Sequence, residues 1–312
     1  MMTKKFRVLN PRLDPNFKAI FTQKTKESNN ALKSFLTAAI GRTVEKVTVA
    51  ENDEPKEFDS QRGISYDINC TFDDGTCSQI EMQGYDRDYD YGKRAEYYVS
   101  RLLSSTLDVG DDWDKIPKSY QISVLNFKFD KTNDNPIHYY TMLDPKDGAK
   151  LADRLNVIFI ELPKIPEFDE NTDIKNLPTI IKWCKFILDA DNPEKQGVIS
   201  KIAESEEGIM AAENTLSRIS QDRWRWIIQG QIEGRERDIR SGYHAAERRG
   251  MENGLKKGME KGLKQGIEQG LQQGERKAKI ETARNAFAMH LTPEQIVQLT
   301  GLSITEVQQL QV

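Results

Sequence analysis

Two acidic side chains in the first third of the sequence have the types and the spacing to hold a divalent metal ion. Asp67 lies in the segment 64–72, and Glu81 lies in the segment 77–83. Both segments alternate apolar with polar residues, which is typical of half-buried strands, and each carboxylate falls on the polar face of its strand. Asp73-Asp74-Gly75 joins the segments and predicts a hairpin turn.

The alignment of the two strands decides whether the carboxylates meet. A two-residue Asp-Gly turn pairs Asp67 with Met82, which mixes apolar and polar faces. A three-residue loop with Gly75 in the left-handed region instead pairs position 67 with position 81 and keeps all apolar residues together. We therefore predict the second alignment, with the β-carbons of Asp67 and Glu81 about 5 Å apart.

Like charges so placed destabilise a sheet unless a cation lies between them. Carboxylate oxygens suit Mg²⁺ or Mn²⁺, which makes Asp67 and Glu81 candidate metal ligands. Gln83 follows on the same face and could hold a water molecule or orient a phosphate. The alternative interpretation is a solvated polar face on which the acidic pair is merely tolerated.

The surrounding pattern predicts an α/β sheet packed by helices on at least one face. Helical periodicity covers 14–42 with a break at Ser28-Asn29-Asn30, and again about 92–109 with a stop at Gly110. From Ile174 the pattern is helical, with a break at Asn192-Pro193 and a second stretch over about 194–240, so the globular core ends near 190 to 225. The other predicted strands are 45–50, 120–129, 138–143 and 155–162.

Glycine recurs every fourth residue from Gly250 to Gly274 among helix-forming Glu, Lys and Gln residues. Seven interior glycines cost a helix on the order of 7 kcal/mol relative to alanine, so we expect a partner to pack against it. The apolar residues beside the glycines complete a seam for close helix approach, which predicts an oligomerisation stalk; they are Leu255, Met259, Leu263, Ile267 and Leu271. A partly helical spacer that crosses solvent alone is the alternative.

The C-terminal residues predict a helix over 278–289 and then a helix-turn-helix-like module. Thr300-Gly301 makes the turn, and Ser303 with Glu306 forms a capping box. The last 22 residues contain no Lys or Arg. The spacing therefore favours a packing or dimer module over a sequence-reading DNA element.

Composition excludes several classes of protein. No run approaches the roughly 20 apolar residues of a membrane helix, and no apolar leader follows the first residues, so we expect a cytoplasmic protein without membrane contact. Three separated cysteines predict reduced thiols. The net charge of −4 hides two basic clusters, one at Lys93, Arg94 and Arg101 and one between Arg223 and Arg249, which are either nucleic-acid contacts or solvated helix faces.

An Asp on one strand followed by Glu-x-Gln on the next resembles the PD-(D/E)XK nuclease pattern. Three further sequence motifs are more specific: Asp14-Pro15-Asn16-Phe17-Lys18-Ala19-Ile20-Phe21, Tyr66-Asp67-Ile68, and Arg94-Ala95-Glu96-Tyr97-Tyr98. Together with Ile80-Glu81-Met82-Gln83 and the glycine tract, they resemble the Rpn family of recombination-promoting nucleases and transposases. The resemblance covers most of the chain and is most specific in the first 110 residues.

The resemblance implies a restriction-endonuclease-like core, a mixed sheet flanked by helices, with an all-α C-terminal extension. It also implies Mg²⁺-dependent endonucleolytic cleavage of DNA, linked to recombination, mobile elements or phage defence. Asp67 and Glu81 would be the metal ligands. Gln83 stands where the superfamily has lysine, so Lys18 is the candidate substitute, with Asp14, Arg94 and Tyr98 as phosphate contacts or support.

We divide the chain into a nuclease core (1–190), a helical connector (191–249), the glycine stalk (250–277) and the helix-turn-helix-like module (278–312). The histidines are too scattered to suggest a histidine nuclease, and without a glycine-rich phosphate loop before a helix the sequence does not indicate ATP use. The partners expected are DNA and further copies of the chain. The alternative function is a non-catalytic DNA- or protein-binding oligomeric module with a degenerate nuclease core.

Overall fold

The computed structural model describes residues 7–50, 53–54, 64–65, 67–85, 90–169 and 171–310. Tyr66, which belongs to the family-like motif Tyr66-Asp67-Ile68, lies outside these residues. Contacts divide the chain into two compact units, 1–232 and 233–312.

The first unit has an α/β core, as the sequence predicts. Its helices are α1 (Asp14–Thr22), α2 (Lys26–Ile40), α3 (Tyr91–Ser104), α4 (Thr179–Asp189), α5 (Gln196–Ser205) and α6 (Glu207–Ile219). Its strands are β1 (Val47–Val49), β2 (Asp53–Glu54), β3 (Ile64–Ser65), β4 (Ile68–Phe72), β5 (Cys77–Gln83), β6 (Ser119–Leu125), β7 (Ile137–Thr141) and β8 (Leu155–Glu161).

Six strands form one mixed sheet in the order β1-β4-β5-β6-β8-β7. The central strands β5, β6 and β8 are parallel, whereas β1, β4 and β7 run antiparallel to their neighbours. Helices cover both faces. The large core cluster includes residues of α1, α2, α4, α5 and α6 on one face, and α3 packs against β5, β6 and β8 on the other.

The alignment of β4 with β5 confirms the predicted hairpin. Ile68 pairs with Ile80 and Thr71 with Cys77, and Gly75 has a φ of 79°, in the left-handed region that glycine adopts without strain. The Phe72 amide donates to the Thr76 carbonyl at 2.9 Å, which closes the three-residue loop. The two-residue turn is therefore excluded.

Three predictions about element boundaries are wrong. The strand predicted over 64–72 is interrupted, because residues 64–65 pair with β2 in a separate two-stranded sheet and Asp67 lies in a bend. The break in the first helical region lies at 23–25, since the Thr25 side chain caps α2 by accepting from the Ser28 amide. Helix α3 ends at Ser104, well before Gly110.

The second helical stretch predicted over 194–240 is three helices, because Glu206 has an extended backbone and residues 220–222 separate α6 from the next helix. That helix, α7 (Arg223–Ala288), contains the whole glycine repeat, so the separate helix predicted from 278 is part of it. α5 and α6 contribute to the large core cluster, and the first unit ends at residue 232. The four-part division made from the sequence remains a prediction.

The second unit ends in α8 (Pro293–Thr300) and α9 (Ile304–Gln309), joined at Gly301, which has a φ of 69°. The capping box of Ser303 and Glu306 is confirmed, and Thr292 forms another with Gln295. These helices share a small apolar cluster with the end of α7, formed by Ala283, Ala286, Ile296, Leu302 and Val307. No helix in the described part of the chain is long and apolar enough to cross a membrane.

Candidate active site

The polar face of β5 is buried, which contradicts the solvated face that the sequence left open. Gln79, Glu81 and Gln83 are only 1%, 8% and 6% exposed. The parallel neighbour β6 brings Ser123 beside Glu81, and α3 packs over this face of both strands. Burying a carboxylate is costly unless it is paired, so the contacts of Glu81 are informative.

Two side chains from the start of α3 hold Glu81. The Tyr91 hydroxyl donates to Glu81 Oε2 at 2.9 Å and lies 3.2 Å from Ser123 Oγ. Arg94 Nη2 forms an ion pair with the other oxygen, Glu81 Oε1. The two residues are one helical turn apart, so a single turn of α3 fixes both carboxylate oxygens.

Asp67 is held from the opposite side of the hairpin. Its Oδ2 accepts a hydrogen bond from the Met82 amide at 2.9 Å. Lys18 Nζ of α1 lies 3.1 Å from Asp67 Oδ1 and 3.3 Å from Asp14 Oδ2, bridging the two carboxylates. Asp67 lies one residue beyond the last β4–β5 pair, so it enters the site from a bend rather than from within the sheet.

The electrostatics of the site follow from three acidic groups and two cations. Burial raises the pKa of Glu81, which the charge of Arg94 opposes and those of Asp67 and Asp14 reinforce. Burial and then the charge of Asp67 raise the pKa of Asp14 to about 6. Burial acts to lower the pKa of Lys18, but the charges of Asp67 and Asp14 outweigh it and raise this pKa.

Gln83 and Tyr98 surround the Arg94 guanidinium. Gln83 Oε1 lies 3.5 Å from Arg94 Nη1, and the guanidinium stacks 4.9 Å from the centre of the Tyr98 ring. The structure therefore brings every predicted site residue into two connected groups. Asp14, Lys18 and Asp67 form one, and Glu81, Gln83, Arg94 and Tyr98 form the other.

Sequence reasoning missed Tyr91 and Ser123. Helix α3 buries Tyr91, Ala95, Val99 and Leu102. The signal was available, because Tyr91 lies three residues before Arg94 and four before Ala95, on the same helical face. Ser123 gave no such signal, because only the pairing of β5 with β6 places it there.

The carboxylates fit a divalent cation by chemistry, since Asp14, Asp67 and Glu81 are hard oxygen donors whose charges oppose one another. Among the residues that the structure describes, no group of three or more His, Cys, Asp or Glu side chains is arranged to hold a metal ion. Lys18 and Arg94 instead neutralise Asp67 and Glu81. A cation could bind both carboxylates only after these ion pairs open.

A mixed sheet covered by helices, with paired carboxylates at one end of a central hairpin, defines an α/β core of the restriction-endonuclease-like type. The chain belongs to the PD-(D/E)XK nuclease family transposases, whose family model matches residues 11–246. The match includes every candidate site residue and ends before the glycine repeat. A search of curated proteins found no match. A search of solved structures also found none.

Membership in this family confirms the resemblance seen in the sequence and assigns the chain a nuclease- or transposase-related function. A nuclease family also suggests DNA as the substrate. PD-(D/E)XK nucleases generally use divalent metal ions, which agrees with the carboxylate chemistry of the site.

Proposed function

We propose that the protein is a metal-dependent DNA endonuclease whose active site comprises Asp67, Glu81, Gln83 and Lys18. The observation that supports it best is the pair of carboxylates at one end of the β4–β5 hairpin, each held by a cation from a different helix. A purely structural ion pair needs only one cation and one carboxylate. A site that binds both a metal ion and a phosphate needs carboxylates for the metal and cations for the phosphate.

Asp67 and Glu81 are the proposed ligands of Mg²⁺, with Mn²⁺ as a substitute. Such an ion supplies a lowered pKa for an attacking water molecule and positive charge beside the attacked phosphate. Asp67 is oriented by the Met82 amide, and Glu81 is oriented by Tyr91. These contacts leave the carboxylates fixed when their cationic partners move away.

Lys18 and Arg94 would have a second role in a site whose carboxylates hold a metal ion. Lys18 would be released from Asp67 and could approach the attacked phosphate, which is the task of the lysine that Gln83 replaces. Arg94 would contact a neighbouring phosphate. Tyr98 stacks against its guanidinium, and Gln83 orients its Nη1. Asp14 holds Lys18 near the site.

Cleavage of supercoiled plasmid by the full chain tests this proposal. We expect nicking with Mg²⁺ or Mn²⁺, none with EDTA, and a loss of at least about 100-fold in Asp67→Asn and Glu81→Gln. Glu96→Gln is the matched control, because Glu96 is exposed on the outer side of α3. Equal rates in all variants, or no nicking by the wild type, would contradict the proposal.

The departure at Gln83 favours a second candidate function, a module that binds DNA or a protein without cleaving DNA. A core that lacks the usual lysine can keep its fold and its basic residues while losing catalysis. This candidate predicts that wild type and Asp67→Asn shift a DNA fragment equally and that neither nicks it. Metal-dependent nicking by the wild type alone would exclude it.

We also propose that α7 associates with further copies of the chain. The apolar residues of the repeat are exposed, from 61% at Ile267 to 79% at Met251, and no neighbouring atom lies within 4 Å of where a β-carbon would stand on any glycine of the repeat. Because the apolar stripe has a constant four-residue period, the stripes of two copies can face each other. The missing side chains at the glycines let the two α7 helices approach closely. Association would offset the roughly 7 kcal/mol that seven glycines cost the helix.

Light scattering with size-exclusion chromatography measures this association. We expect wild type to be oligomeric and Leu263→Glu with Ile267→Glu to be monomeric. Lys261→Glu together with Lys264→Glu is the control, since it adds acidic side chains to the same stretch without touching the apolar stripe. A monomeric wild type would contradict the stalk and leave the nuclease proposal intact.

A further inference from the structure

A cleft of about 900 Å³ lies at the turn end of the β4–β5 hairpin and extends along β4 as far as Asn69, two residues from Asp67. Its lining includes Asn69 and Thr71 of β4, Ser105 just after α3, and the basic residues Lys115, Lys118 and Arg154. Asn69 pairs with Gln79 on the face of the sheet that carries Glu81. Two residues of strand separate Asn69 from Asp67, about 7 Å at the usual rise, so the cleft continues the polar face away from the carboxylates.

The lining of this cleft carries more positive than negative charge. Its charged residues are Arg42, Lys115, Lys118 and Arg154, against Asp74 and Asp114. Arg42 pairs with Asp74 at 2.8 Å, Lys115 with Asp111 at 3.1 Å, and Lys118 with Asp153, so an acidic partner positions each of these three cations. The Arg154 side chain is exposed. Small-molecule pockets are mostly apolar, whereas a polar and basic groove suits a phosphate backbone.

An exposed tryptophan lies next to the same cations. Trp113 is 81% exposed and shares a short 3-10 helix, Trp113–Lys115, with a cation of the cleft. In contrast, Trp183 is fully buried and donates to Ser34. Exposed aromatic rings beside a basic groove are typical of proteins that stack the bases of single strands, and each stacked base contributes about 1–3 kcal/mol.

Stacking on Trp113 constrains the form of the nucleic acid. A base inside a duplex has both faces covered by its neighbours, so it can stack on a side chain only when it is unpaired or turned out of the helix. The basic residues of the cleft bind phosphates in either form. The tryptophan is therefore the feature that separates a single-stranded ligand from a duplex.

We propose that this cleft binds a single-stranded segment of DNA that extends from the bond cleaved between Asp67 and Glu81. Arg154 and Lys115 contact its phosphates, and Trp113 stacks on one of its bases. The substrate class is then DNA with an unpaired stretch beside the cleavage site. This inference rests on the proposed nuclease function and specifies its substrate.

Fluorescence anisotropy of the full chain in EDTA measures binding without cleavage. The probes are a labelled single-stranded oligonucleotide and the same sequence as a duplex. We expect the single strand to bind more tightly than the duplex. Arg154→Glu should lower the affinity for the single strand by about 10-fold and reduce the salt dependence of binding by about one phosphate contact. Trp113→Ala should weaken single-strand binding by roughly 5- to 150-fold and leave duplex binding unchanged.

Lys175→Glu is the control, since Lys175 is exposed in a short helix beside the large core cluster, on the face of the sheet away from α3. All three substitutions are at exposed side chains, and thermal melting checks that each variant is folded. If Arg154→Glu and Trp113→Ala bind the single strand as the control does, the cleft is not the binding site. Equal affinity for duplex and single strand would also overturn the inference.

The failure of this inference can be told apart from failure of the nuclease proposal. Plasmid nicking that depends on Asp67 and Glu81, together with unchanged binding by the cleft variants, removes only the single-strand site. Absence of metal-dependent nicking removes the nuclease proposal and this inference with it.

Discussion

The two faces of β5 show how one strand serves both stability and chemistry. Ile80 and Met82 pack into the large core cluster with the helices of the first unit. Gln79, Glu81 and Gln83, on the opposite face, are just as buried but lie under α3 in a layer of polar groups. Burial alone therefore does not separate structural from functional positions, and the partners of each side chain do.

The apolar face should give the largest effect on stability. Ile80→Ala removes a fully buried side chain from the core and should lower the free energy of unfolding by about 2–5 kcal/mol. Val49→Ala on the edge strand β1, where Val49 is 37% exposed, should cost well under that. Urea unfolding followed by circular dichroism measures both. Equal losses would show that the two positions contribute alike.

The polar face should respond in activity rather than in stability. Tyr91→Phe keeps the ring against Phe127 and Phe159 but removes the hydroxyl that holds Glu81 Oε2. We expect nicking to slow by about 10- to 100-fold, the range for residues that orient metal ligands, with the apparent affinity for Mn²⁺ reduced. Tyr97→Phe is the control, since Tyr97 is exposed on α3. A variant that melts at a lower temperature but binds Mn²⁺ as tightly as the wild type would make Tyr91 a purely structural residue.

The smallest effect concerns Asp14 and depends on pH. Its pKa is raised to about 6 from 3.8, mainly by burial and the charge of Asp67, so the folded state favours the protonated form. The stabilisation from that proton is complete below the unfolded pKa and is lost as pH rises through about 6. Asp14→Asn should therefore raise the melting temperature relative to wild type at pH 7.5, and the difference should shrink towards pH 4. A melting-temperature difference that stays constant with pH would contradict the raised pKa of Asp14.

Local rules were enough to predict the parts of the fold that depend on neighbouring residues. The left-handed Gly75 and the alternation of β4 and β5 specified the hairpin alignment, and Ser303 with Glu306 specified a helix start. Helix breaks were harder, because the polar residues 28–30 are compatible with a helix once Thr25 caps it. The interruption before Asp67 depends on pairing with β2, which local alternation does not encode.

The candidate site shows the same limit. Strand alternation and the family resemblance identified Asp67, Glu81, Gln83, Lys18, Asp14, Arg94 and Tyr98, and the structure brings them together. Their ion pairs could not be predicted, because Lys18 and Arg94 reach the carboxylates from helices on opposite faces of the sheet. The same holds for the cleft, whose lining combines Arg42, Lys118 and Arg154, residues far apart in the sequence.

The account depends most on Asp67 and Glu81 forming a single metal centre. Calorimetric titration of Mn²⁺ into wild type, Asp67→Asn, Glu81→Gln and Glu96→Gln tests this directly. We predict saturable binding to wild type and to Glu96→Gln, and its loss in both other variants while each stays folded. Equal Mn²⁺ binding by all four proteins, or binding by none, would contradict the assignment of these carboxylates as metal ligands.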